Sequence, residues 1–303
     1  MARDYLRRKG DFCAVIASDA LAGSSGLSWY LDGSDGSTVC RDIDGYDIAV
    51  RGLDLVWWRR MPRGAAPDNR GHVPDAVEMF TARNMRASLL GIFLTDFDGI
   101  WVDHPKFLQR ADNKLVQLRV ASAAGFRVPR TLLSQDPIHI RQFAEGLDGR
   151  LVVKCVSGML GVPALTGEVT QQQLECDGPL QACPAIYQEL IPGRRHLRVH
   201  CFGDEVHAAL IQSDLLDWRH PLDADIEPFP LSRTIRDRLL GILAELGLQM
   251  GIFDLKLTDD EEPVWLELNP QGQFLFVEAM GGGDLMTPFV CFLQSLVERR
   301  QSL

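Results

Sequence analysis

The feature that most constrains the fold of this chain is a pair of apolar segments near its C-terminal end that carry polar ligand residues. Residues 251–257 and 263–268 are rich in apolar side chains and flank an acidic turn, a pattern typical of a β-hairpin. Such a hairpin would bring Asp254, Glu267 and Asn269 together at one end of a sheet. Glu267 and Asn269 are two residues apart, so they share one face of their strand.

The three side chains predict a metal site. Three oxygen ligands without histidine or cysteine suit a hard cation, and Mg²⁺ prefers such sites and keeps positions open for substrate phosphates. The alternative is a polar turn whose acids are simply solvated. Glu267 argues against this, because it stands inside an otherwise apolar strand, where a lone carboxylate is costly. We therefore assign Asp254, Glu267 and Asn269 as candidate Mg²⁺ ligands.

Composition limits the class of protein. The 303 residues are enough for two or three small domains around a shared cleft, and the net charge of −10 argues against broad nucleic-acid binding. No apolar run has the length of a membrane span and no signal-like stretch follows Met1, so we expect a cytoplasmic protein without a membrane partner. The seven cysteines are scattered and form no CxxC pair, which argues against a disulfide framework or a zinc site.

Strand and helix patterns alternate along the chain without internal repeats, which predicts an α/β or α+β class. Residues 19–50 show poor periodicity and are expected to be irregular. The predicted strands are 11–18, 53–58, 128–133, 151–155, 185–191, 195–202 and 205–213, and the predicted helices are 75–91, 111–124, 231–246 and 284–300. On the helix 75–91, the periodicity places Val77, Phe80, Met85, Leu89 and Leu90 on the buried side.

Two lysines are candidates for binding phosphate. Lys154 ends an apolar strand, and the glycine-containing loop after it includes Ser157, Gly158 and Gly161, whose backbone N–H groups can surround a phosphate. The loop is not a Walker A sequence, and a surface turn is the alternative. Lys114 stands at a helix start, where phosphate is also favoured, although this residue taken alone is better explained as a solvated lysine.

A strand that ends at a Pro-Gly pair is a candidate for binding adenosine. Its residues Gln188, Glu189, Leu190 and Ile191 can offer backbone groups to an adenine edge and the Glu189 carboxylate to a ribose. By itself this segment is also consistent with an ordinary strand and turn.

The order of these parts is more specific than any one of them. A lysine at a helix start, a lysine with a glycine loop, the adenosine segment, an arginine strand and the acidic hairpin follow one another as in ATP-grasp ligases. Over most of residues 11–295 the chain resembles the graspetide (microviridin-type) peptide-maturing ligases within that superfamily. Five runs carry this resemblance: Val56-Trp57-Trp58-Arg59-Arg60-Met61-Pro62, Arg110-Ala111-Asp112-Asn113-Lys114-Leu115, Gly125-Phe126-Arg127-Val128-Pro129-Arg130-Thr131-Leu132, Asp217-Trp218-Arg219 and Leu266-Glu267-Leu268-Asn269-Pro270-Gln271-Gly272-Gln273-Phe274.

The resemblance implies a domain order and a reaction. It implies an N-terminal pre-ATP-grasp domain at 1–110, a central subdomain at 111–186 and a C-terminal subdomain at 187–303, with ATP between the last two. ATP would convert a substrate carboxylate into an acyl phosphate, which an amine or hydroxyl then displaces.

The resemblance also assigns roles to residues. Asp254, Glu267 and Asn269 would hold Mg²⁺ on the phosphates, and Lys114 and Lys154 would neutralise the α- and β-phosphates. Arg198 and Arg219 would face the acyl phosphate, because a planar guanidinium fork suits a phosphoryl group. The alternative for each arginine is a surface salt bridge.

One residue departs from the family pattern. The family usually has Asp-x-Arg where this chain has His196-Leu197-Arg198, so the arginine is kept and the aspartate is replaced. If that aspartate assists the incoming nucleophile, His196 could act as a base near neutral pH.

The resemblance favours a macrocyclase that forms ω-amides or ω-esters in a ribosomal precursor peptide with a leader and an acidic core. Two alternatives stay open from the sequence: a ligase that adds a free amino acid to a peptide or protein tail, and a non-catalytic relative that binds peptide. The family also makes a homodimer an expectation.

Overall fold

The structure is a computed structural model that describes residues 1–21, 25–59, 74–157, 166–218 and 224–302. These residues form two units. One contains the described residues of 1–103 together with those from Met286 onward, and the other contains the described residues of 104–285. The division into three domains stays a prediction. This grouping differs from it by joining the last helix to the N-terminal residues.

The elements follow one another in the mixed order that the sequence predicts. From the N-terminus they are α1 (Ala2–Arg8), α2 (Ser18–Leu21), β1 (Leu27–Asp32), β2 (Asp35–Arg41), β3 (Asp47–Ile48), a 3₁₀ turn (Val50–Gly52), β4 (Leu55–Trp57), α3 (Ala76–Asp96), β5 (Ile100–Val102), α4 (Pro105–Ala111), α5 (Lys114–Ala123), β6 (Thr131–Ser134), α6 (Pro137–Glu145), β7 (Leu151–Cys155) and β8 (Gly167–Glu168). The remaining elements are α7 (Gln171–Glu175), α8 (Asp177–Gln181), β9 (Ala185–Glu189), β10 (Arg195–Phe202), β11 (Glu205–Gln212), β12 (Asp225–Phe229), α9 (Arg233–Leu246), β13 (Met250–Leu257), β14 (Pro263–Asn269), α10 (Leu275–Ala279) and α11 (Met286–Gln301).

The first unit contains two small sheets and the long helix α3. Strands β1, β2 and β3 form one antiparallel sheet, and β4 pairs with β5 in parallel. Aromatic rings of Trp58, Phe93, Phe97 and Trp101 contact one another and form much of its core. The helix α3 begins at a capping box in which Asp75 and Glu78 satisfy each other's backbone N–H groups.

Three predictions for this unit are wrong. Residues 11–17 form no strand and instead run as irregular chain into α2, because their apolar side chains find no neighbouring strand to pair with. The stretch expected to be irregular holds three strands, whose polar, Gly-containing sequences mask the alternation. Val77 and Phe80 on α3 are exposed, although periodicity placed them on the buried side.

The second unit is built on two sheets. The four-stranded sheet has the order β6-β9-β7-β8 and packs its face on helices through Ile140, Leu151, Leu174 and Tyr187. The five-stranded sheet has the order β12-β11-β10-β13-β14, and all of its neighbouring strands are antiparallel. The predicted hairpin 195–213 is confirmed as β10 and β11, and the predicted C-terminal hairpin is confirmed as β13 and β14.

The hairpin of β13 and β14 contains a β-bulge. Leu255 lies opposite Trp265 and Asp254 lies opposite Glu267, so Leu266 is an extra residue on β14. The extra residue changes the alternation of faces. Trp265 therefore packs in the core against Phe253, while Glu267 faces the same side of the sheet as Asp254.

The helices in the described part of the chain include none that is long and apolar enough to cross a membrane.

Candidate functional site

Three charged residues form a row across the middle of the five-stranded sheet. Arg198 on β10 lies directly opposite Asp254 on β13, and Asp254 lies directly opposite Glu267 on β14. Directly opposed residues point to the same face of a sheet, so one cation and two acids meet on one surface. Asp254 stands in the middle of β13, whereas the sequence prediction placed the acids at a sheet end.

The Arg198 guanidinium is held by hydrogen bonds at both terminal nitrogens and by two aromatic rings. Its Nη1 donates to Asp254 Oδ1 at 2.8 Å and Oδ2 at 3.0 Å, and its Nη2 donates to the backbone oxygen of Gln273 at 2.7 Å. The rings of Trp218 and Phe276 lie 5.8 and 5.4 Å from its Cζ. Both partners of this ion pair are buried, so the pair fixes the position of the Asp254 carboxylate.

A second row of charged groups lies one step along the same strands. His196 on β10 is opposite Lys256 on β13, and the Lys256 ammonium donates to His196 Nε2 at 3.0 Å. Both side chains are buried. Burial, followed by the Lys256 charge, lowers the pKa of His196 to about 4, while Asp217 and a hydrogen bond with the Ser213 backbone act weakly in the opposite direction. Burial also lowers the pKa of Lys256 to about 8.

These values bear on the predicted role of His196. At neutral pH the His196 ring is uncharged, and its Nε2 lone pair already accepts a hydrogen bond from the Lys256 ammonium. A base with a pKa near 4 is far from the value that suits proton transfer at pH 7. In this geometry His196 orients Lys256 more directly than it takes a proton from a nucleophile. Its catalytic role stays a prediction.

The third row contains His200, Ile252 and Asn269. Asn269 shares the face of Glu267 but lies opposite an isoleucine. The His200 side chain is fully buried, with Nδ1 3.3 Å from the backbone oxygen of His207 and no partner for Nε2. Burial, together with the Arg198 charge, lowers the pKa of His200 to about 3, so this ring is also neutral.

The donor atoms near Asp254 fit a hard cation by their chemistry. Two carboxylates and one amide oxygen lie on one face of adjacent strands, and oxygen ligands are what Mg²⁺ prefers. Within the described residues, no group of three histidine, cysteine, aspartate or glutamate side chains is arranged to hold a metal. A cation bound here would therefore rely on two acids and one amide and would leave positions open for substrate oxygens, so the assignment of Asp254, Glu267 and Asn269 as Mg²⁺ ligands stays a prediction.

A cleft of about 640 Å³, counted with its open mouth, collects most of the predicted residues. Of the predicted residues it is lined by Lys154, Gln188, Glu189, Leu190, Ile191, His196, Asp254 and Glu267. Arg198 and Asn269 stand on the same sheet face without lining it.

Lys154 and Lys114 lie near the end of β7 in the four-stranded sheet. Lys154 belongs to β7 and lines the cleft, and Lys114 Nζ donates to the backbone oxygen of Cys155 at 3.1 Å. The chain thus brings both predicted phosphate ligands to one strand end. Ser157 follows two residues after that end. Gly158, Gly161 and Arg219 lie outside the described residues.

The adenosine segment is ordered by polar contacts. Gln188 Nε2 donates to Thr131 Oγ1 at 2.9 Å. The Glu189 carboxylate accepts from Arg127 Nη2 at 3.0 Å and from the backbone N–H of Arg130 at 3.1 Å. Glu189 therefore lines the cleft with part of its acceptor capacity already in use.

Sequence reasoning gave no role to several residues that line the cleft. Lys256 was read as part of an apolar strand, and the signal that could have found it is a lysine two residues after Asp254 on the ligand face. Trp218 and Asp217 were noted only as a motif, and they form a wall of the cleft beside His196. Thr166, Val152 and Leu266 carry no sequence signal that separates them from ordinary strand residues.

Comparisons with known proteins are informative at the level of structure. No protein-family model and no curated protein matches the sequence. The chain is similar to the macrocyclase MdnC from Microcystis aeruginosa MRC, solved with precursor peptide MdnA. The two are 26% identical with a TM-score of 0.83, covering 96% of this chain and 93% of MdnC.

Two further solved structures have the same fold. A RiPP-associated ATP-grasp ligase from Chryseobacterium gregarium, complexed with ADP and a leader and core peptide, has a TM-score of 0.80 at 22% identity over 97% of this chain and 92% of its own. The ATP-grasp ligase PsnB, complexed with a phosphomimetic variant of minimal precursor, Mg and ADP, has a TM-score of 0.79 at 24% identity over 98% and 94%. The predicted ATP-grasp fold and the resemblance to peptide-maturing ligases are confirmed.

Proposed function

We infer that this ATP-grasp ligase activates side-chain carboxylates of a ribosomal precursor peptide as acyl phosphates and closes them into ω-amide or ω-ester macrocycles. ATP and Mg²⁺ are its proposed co-substrate and cofactor, and a leader plus an acidic core are the proposed parts of its peptide. A macrocyclase and two ligases that share its fold were solved with precursor, or leader and core, peptides, two of them with ADP.

The observation that carries the proposal is the row of Arg198, Asp254 and Glu267 beside a cleft that also holds Lys154 and the adenosine segment. A transferring phosphoryl group needs acids to hold its cation and cations to offset its charge. The five-stranded sheet supplies the first and the end of β7 supplies the second. Few structural needs would place two acids, an arginine and a lysine on one buried strand face.

The residues divide the work by position. Lys154 and Lys114 bind the phosphates of ATP at the end of β7, while Gln188 to Ile191 orient its base. Asp254 and Glu267, completed by Asn269, would hold Mg²⁺, which when bound neutralises phosphate charge and polarises the phosphorus. Catalysis then consists mainly of positioning the carboxylate and offsetting charge.

Arg198 is proposed to position Asp254 and to offset the charge of the acyl phosphate. Its Nη1 holds Asp254 in place and its Nη2 donates to the backbone of Gln273. Its role toward the acyl phosphate is proposed on the resemblance, and the buried guanidinium acts there through its charge and through the position it gives Asp254. Arg219 is proposed for the same phosphoryl group on the strength of the resemblance alone. His196 holds Lys256 toward the cleft, where the ammonium can attract an acidic peptide side chain.

Intact-mass analysis tests the reaction. The purified protein is incubated with ATP, Mg²⁺ and a short acidic peptide encoded beside its gene. We expect the peptide to lose one water for each ring, and to keep its mass when ATP is omitted. Tandem mass spectrometry then identifies the joined residues.

Other outcomes separate the alternatives. A peptide that gains the mass of an amino acid, when free amino acids are supplied, would replace the macrocyclase with a residue-adding ligase. A peptide that binds without ATP turnover would favour a non-catalytic relative.

The remaining parts of the proposal concern location and assembly. We propose that the enzyme is cytoplasmic. We propose separately that it does not bind nucleic acid, because its net charge of −10 repels polyanions. We also propose that it works as a homodimer, which is independent of the chemistry above.

A further inference from the structure

Glu189, the acid of the adenosine segment, is held by two donors that lie outside that segment. Arg127 Nη2 donates to Glu189 Oε1 at 3.0 Å, and the backbone N–H of Arg130 donates to Oε2 at 3.1 Å. Each carboxylate oxygen thus has one partner among the described residues. An ionised carboxylate can accept about four hydrogen bonds, so each oxygen keeps an acceptor position. Because Glu189 lines the cleft, a sugar hydroxyl bound there can use these positions.

The backbone of Arg127 is fixed to the five-stranded sheet, whereas Glu189 belongs to the four-stranded sheet. Arg127 forms a parallel bridge with Val264 of β14, and its backbone oxygen accepts from the N–H of Trp265 at 2.9 Å. The ring of the neighbouring Phe126 packs with its centroid 5.9 Å from that of Trp265. The Arg127 side chain therefore reaches Glu189 from a backbone that strand pairing and ring packing hold in place.

The Arg127 guanidinium spans two acids. Its Nη2 contacts Glu189, while its Nη1 donates at 3.3 Å to Oε2 of Glu262, in the turn between β13 and β14. The side chains of Arg127, Glu189 and Glu262 are 40, 24 and 50% exposed. Ion pairs this exposed contribute little to stability, so the main effect of Arg127 is on the position of the carboxylate. A planar fork with a partner on each terminal nitrogen suits that task better than a lysine would.

Two donors on different oxygens fix the plane of a carboxylate. With the Arg130 N–H alone, the Glu189 carboxylate could turn about its terminal bond, whose torsion has a broad minimum. Arg127 restricts this rotation by holding the second oxygen. The remaining acceptor positions of both oxygens then keep a fixed direction, as a pair of adjacent hydroxyls requires. Such preorganisation lowers the cost of ordering the site when a ligand binds.

We propose that Arg127 is a positioning residue for ATP, because it holds the Glu189 carboxylate so that its two oxygens accept from the 2′- and 3′-hydroxyls of the ribose. The proposal rests on the ATP part of the proposed function and adds a residue to it. Arg127 is not among the described residues that line the cleft, so it acts through Glu189. Its removal is therefore expected to change the selectivity for the sugar and to leave recognition of the base and phosphates in place.

Calorimetric titration of the full chain with ATP and with 2′,3′-dideoxy-ATP, both with Mg²⁺, is the first test. The wild type is expected to bind ATP about tenfold or more tightly, because hydrogen bonds to a charged acceptor are lost with the dideoxy compound. Arg127→Ala should weaken ATP binding about fivefold and change binding of the dideoxy compound less than about twofold, because only ATP has hydroxyls for Glu189. A cooperative thermal transition near that of the wild type confirms that the variant is folded.

Glu262→Gln is the matched control. It removes the other ionic partner of Arg127 and leaves the contact between Arg127 and Glu189 in place. Both nucleotides are expected to bind this variant within about twofold of the wild type, as the loss of an exposed ion pair allows. A purely structural role, in which Arg127 links β14 to the adenosine segment, predicts instead that Arg127→Ala weakens both nucleotides equally.

A double-mutant cycle tests the route through Glu189. Glu189→Ala alone should remove the preference for ATP over the dideoxy compound. Adding Arg127→Ala to Glu189→Ala should change ATP binding less than about twofold, because residues that act through one contact are not additive. A second loss of the full size seen for Arg127→Ala would overturn the proposal, since Arg127 would then act by another route.

The outcomes separate Arg127 from the rest of the function. Equal binding of both nucleotides to the wild type, tighter ATP binding by Arg127→Ala, or an equal effect of Glu262→Gln would each overturn the positioning role alone. A wild type that binds neither nucleotide would overturn both this role and the use of ATP. The loss of water from the peptide is measured separately and tests the reaction itself.

Discussion

The two sheets of the second unit present their charged groups in opposite ways. On the five-stranded sheet the charged groups are buried in direct pairs, Arg198 with Asp254 and Lys256 with His196. On the four-stranded sheet, the cations stand at the end of β7, where Lys114 makes one exposed contact with backbone. One side of the proposed site is therefore fixed by strand pairing, and the other is formed by lysine side chains at a strand end.

This difference indicates which charged residues affect both stability and activity. A charge on a buried row cannot be removed without leaving its partner in a low-dielectric interior, so it affects stability as well as activity. A charge at an exposed strand end is already hydrated, so its removal affects binding only. The following substitutions test that contrast.

The largest effect is expected from Arg198→Ala. The Asp254 carboxylate would stay buried without its cation, which costs about 3–5 kcal/mol in the free energy of unfolding. Urea denaturation measures it. The control is Arg127→Ala, which removes an arginine that pairs with Glu189 and Glu262 at a half-exposed position and should cost no more than about 1 kcal/mol. Similar losses in both variants would remove the contrast between the sheets.

Glu267→Gln is expected to act on the reaction more than on the fold. The amide keeps the size of the side chain but gives up the negative charge that a cation needs, so ATP-dependent modification should fall about 100-fold or more. Glu278→Gln, outside the row, serves as the control. Full activity of Glu267→Gln would contradict the metal assignment.

His200→Leu is expected to change the acid sensitivity of the protein. In the unfolded chain this ring takes a proton near pH 6.5, whereas in the folded protein its pKa is about 3. Between these two pKa values the unfolded state therefore binds more protons than the folded state. As the pH is lowered through this range, this group decreases the free energy of unfolding by at most about 1.4 kcal/mol per pH unit. The variant should show a shallower fall between pH 6.5 and 4 in urea denaturation. The surface substitution His139→Leu should leave the wild-type slope in place.

Lys114→Ala is expected to give the smallest effect. The lysine is half-buried at a helix start, and its given contact is with one backbone oxygen, so the free energy of unfolding should change by less than about 1 kcal/mol. The apparent KM for ATP should rise about tenfold, the value of one charge-assisted hydrogen bond. A change in unfolding of the size seen for Arg198→Ala would place this lysine with the buried rows instead.

The same contrast explains what the sequence could predict. Strands β10, β11, β13 and β14 are rich in apolar residues and each pair is joined by a short polar turn, so their hairpins and the meeting of Asp254 with Glu267 were predictable. The buried Lys256–His196 pair was not, because a lysine in an apolar strand carries no sign of which partner will stabilise it. Strands β1 to β3 escaped prediction because Gly, Ser and Asp dominate them.

Helix α3 shows a different limit. Its sequence has apolar residues on both faces, and periodicity alone cannot say which face the chain itself will cover. Val77 and Phe80 were assigned to the core for this reason.

The bulge at Leu266 has a consequence for how this site can change. Because one extra residue separates the core position of Trp265 from the ligand position of Glu267, the spacing of the backbone matters there as much as the side chains do. Loss of Leu266 alone would close the bulge and leave Trp265 opposite Leu255 and Glu267 opposite Asp254, whereas a deletion between Glu267 and Asn269 would turn one of these two side chains to the other face. Strand β14 should thus accept many conservative replacements in evolution and the loss of its bulge residue, while other natural length variation should be confined to the turns around it.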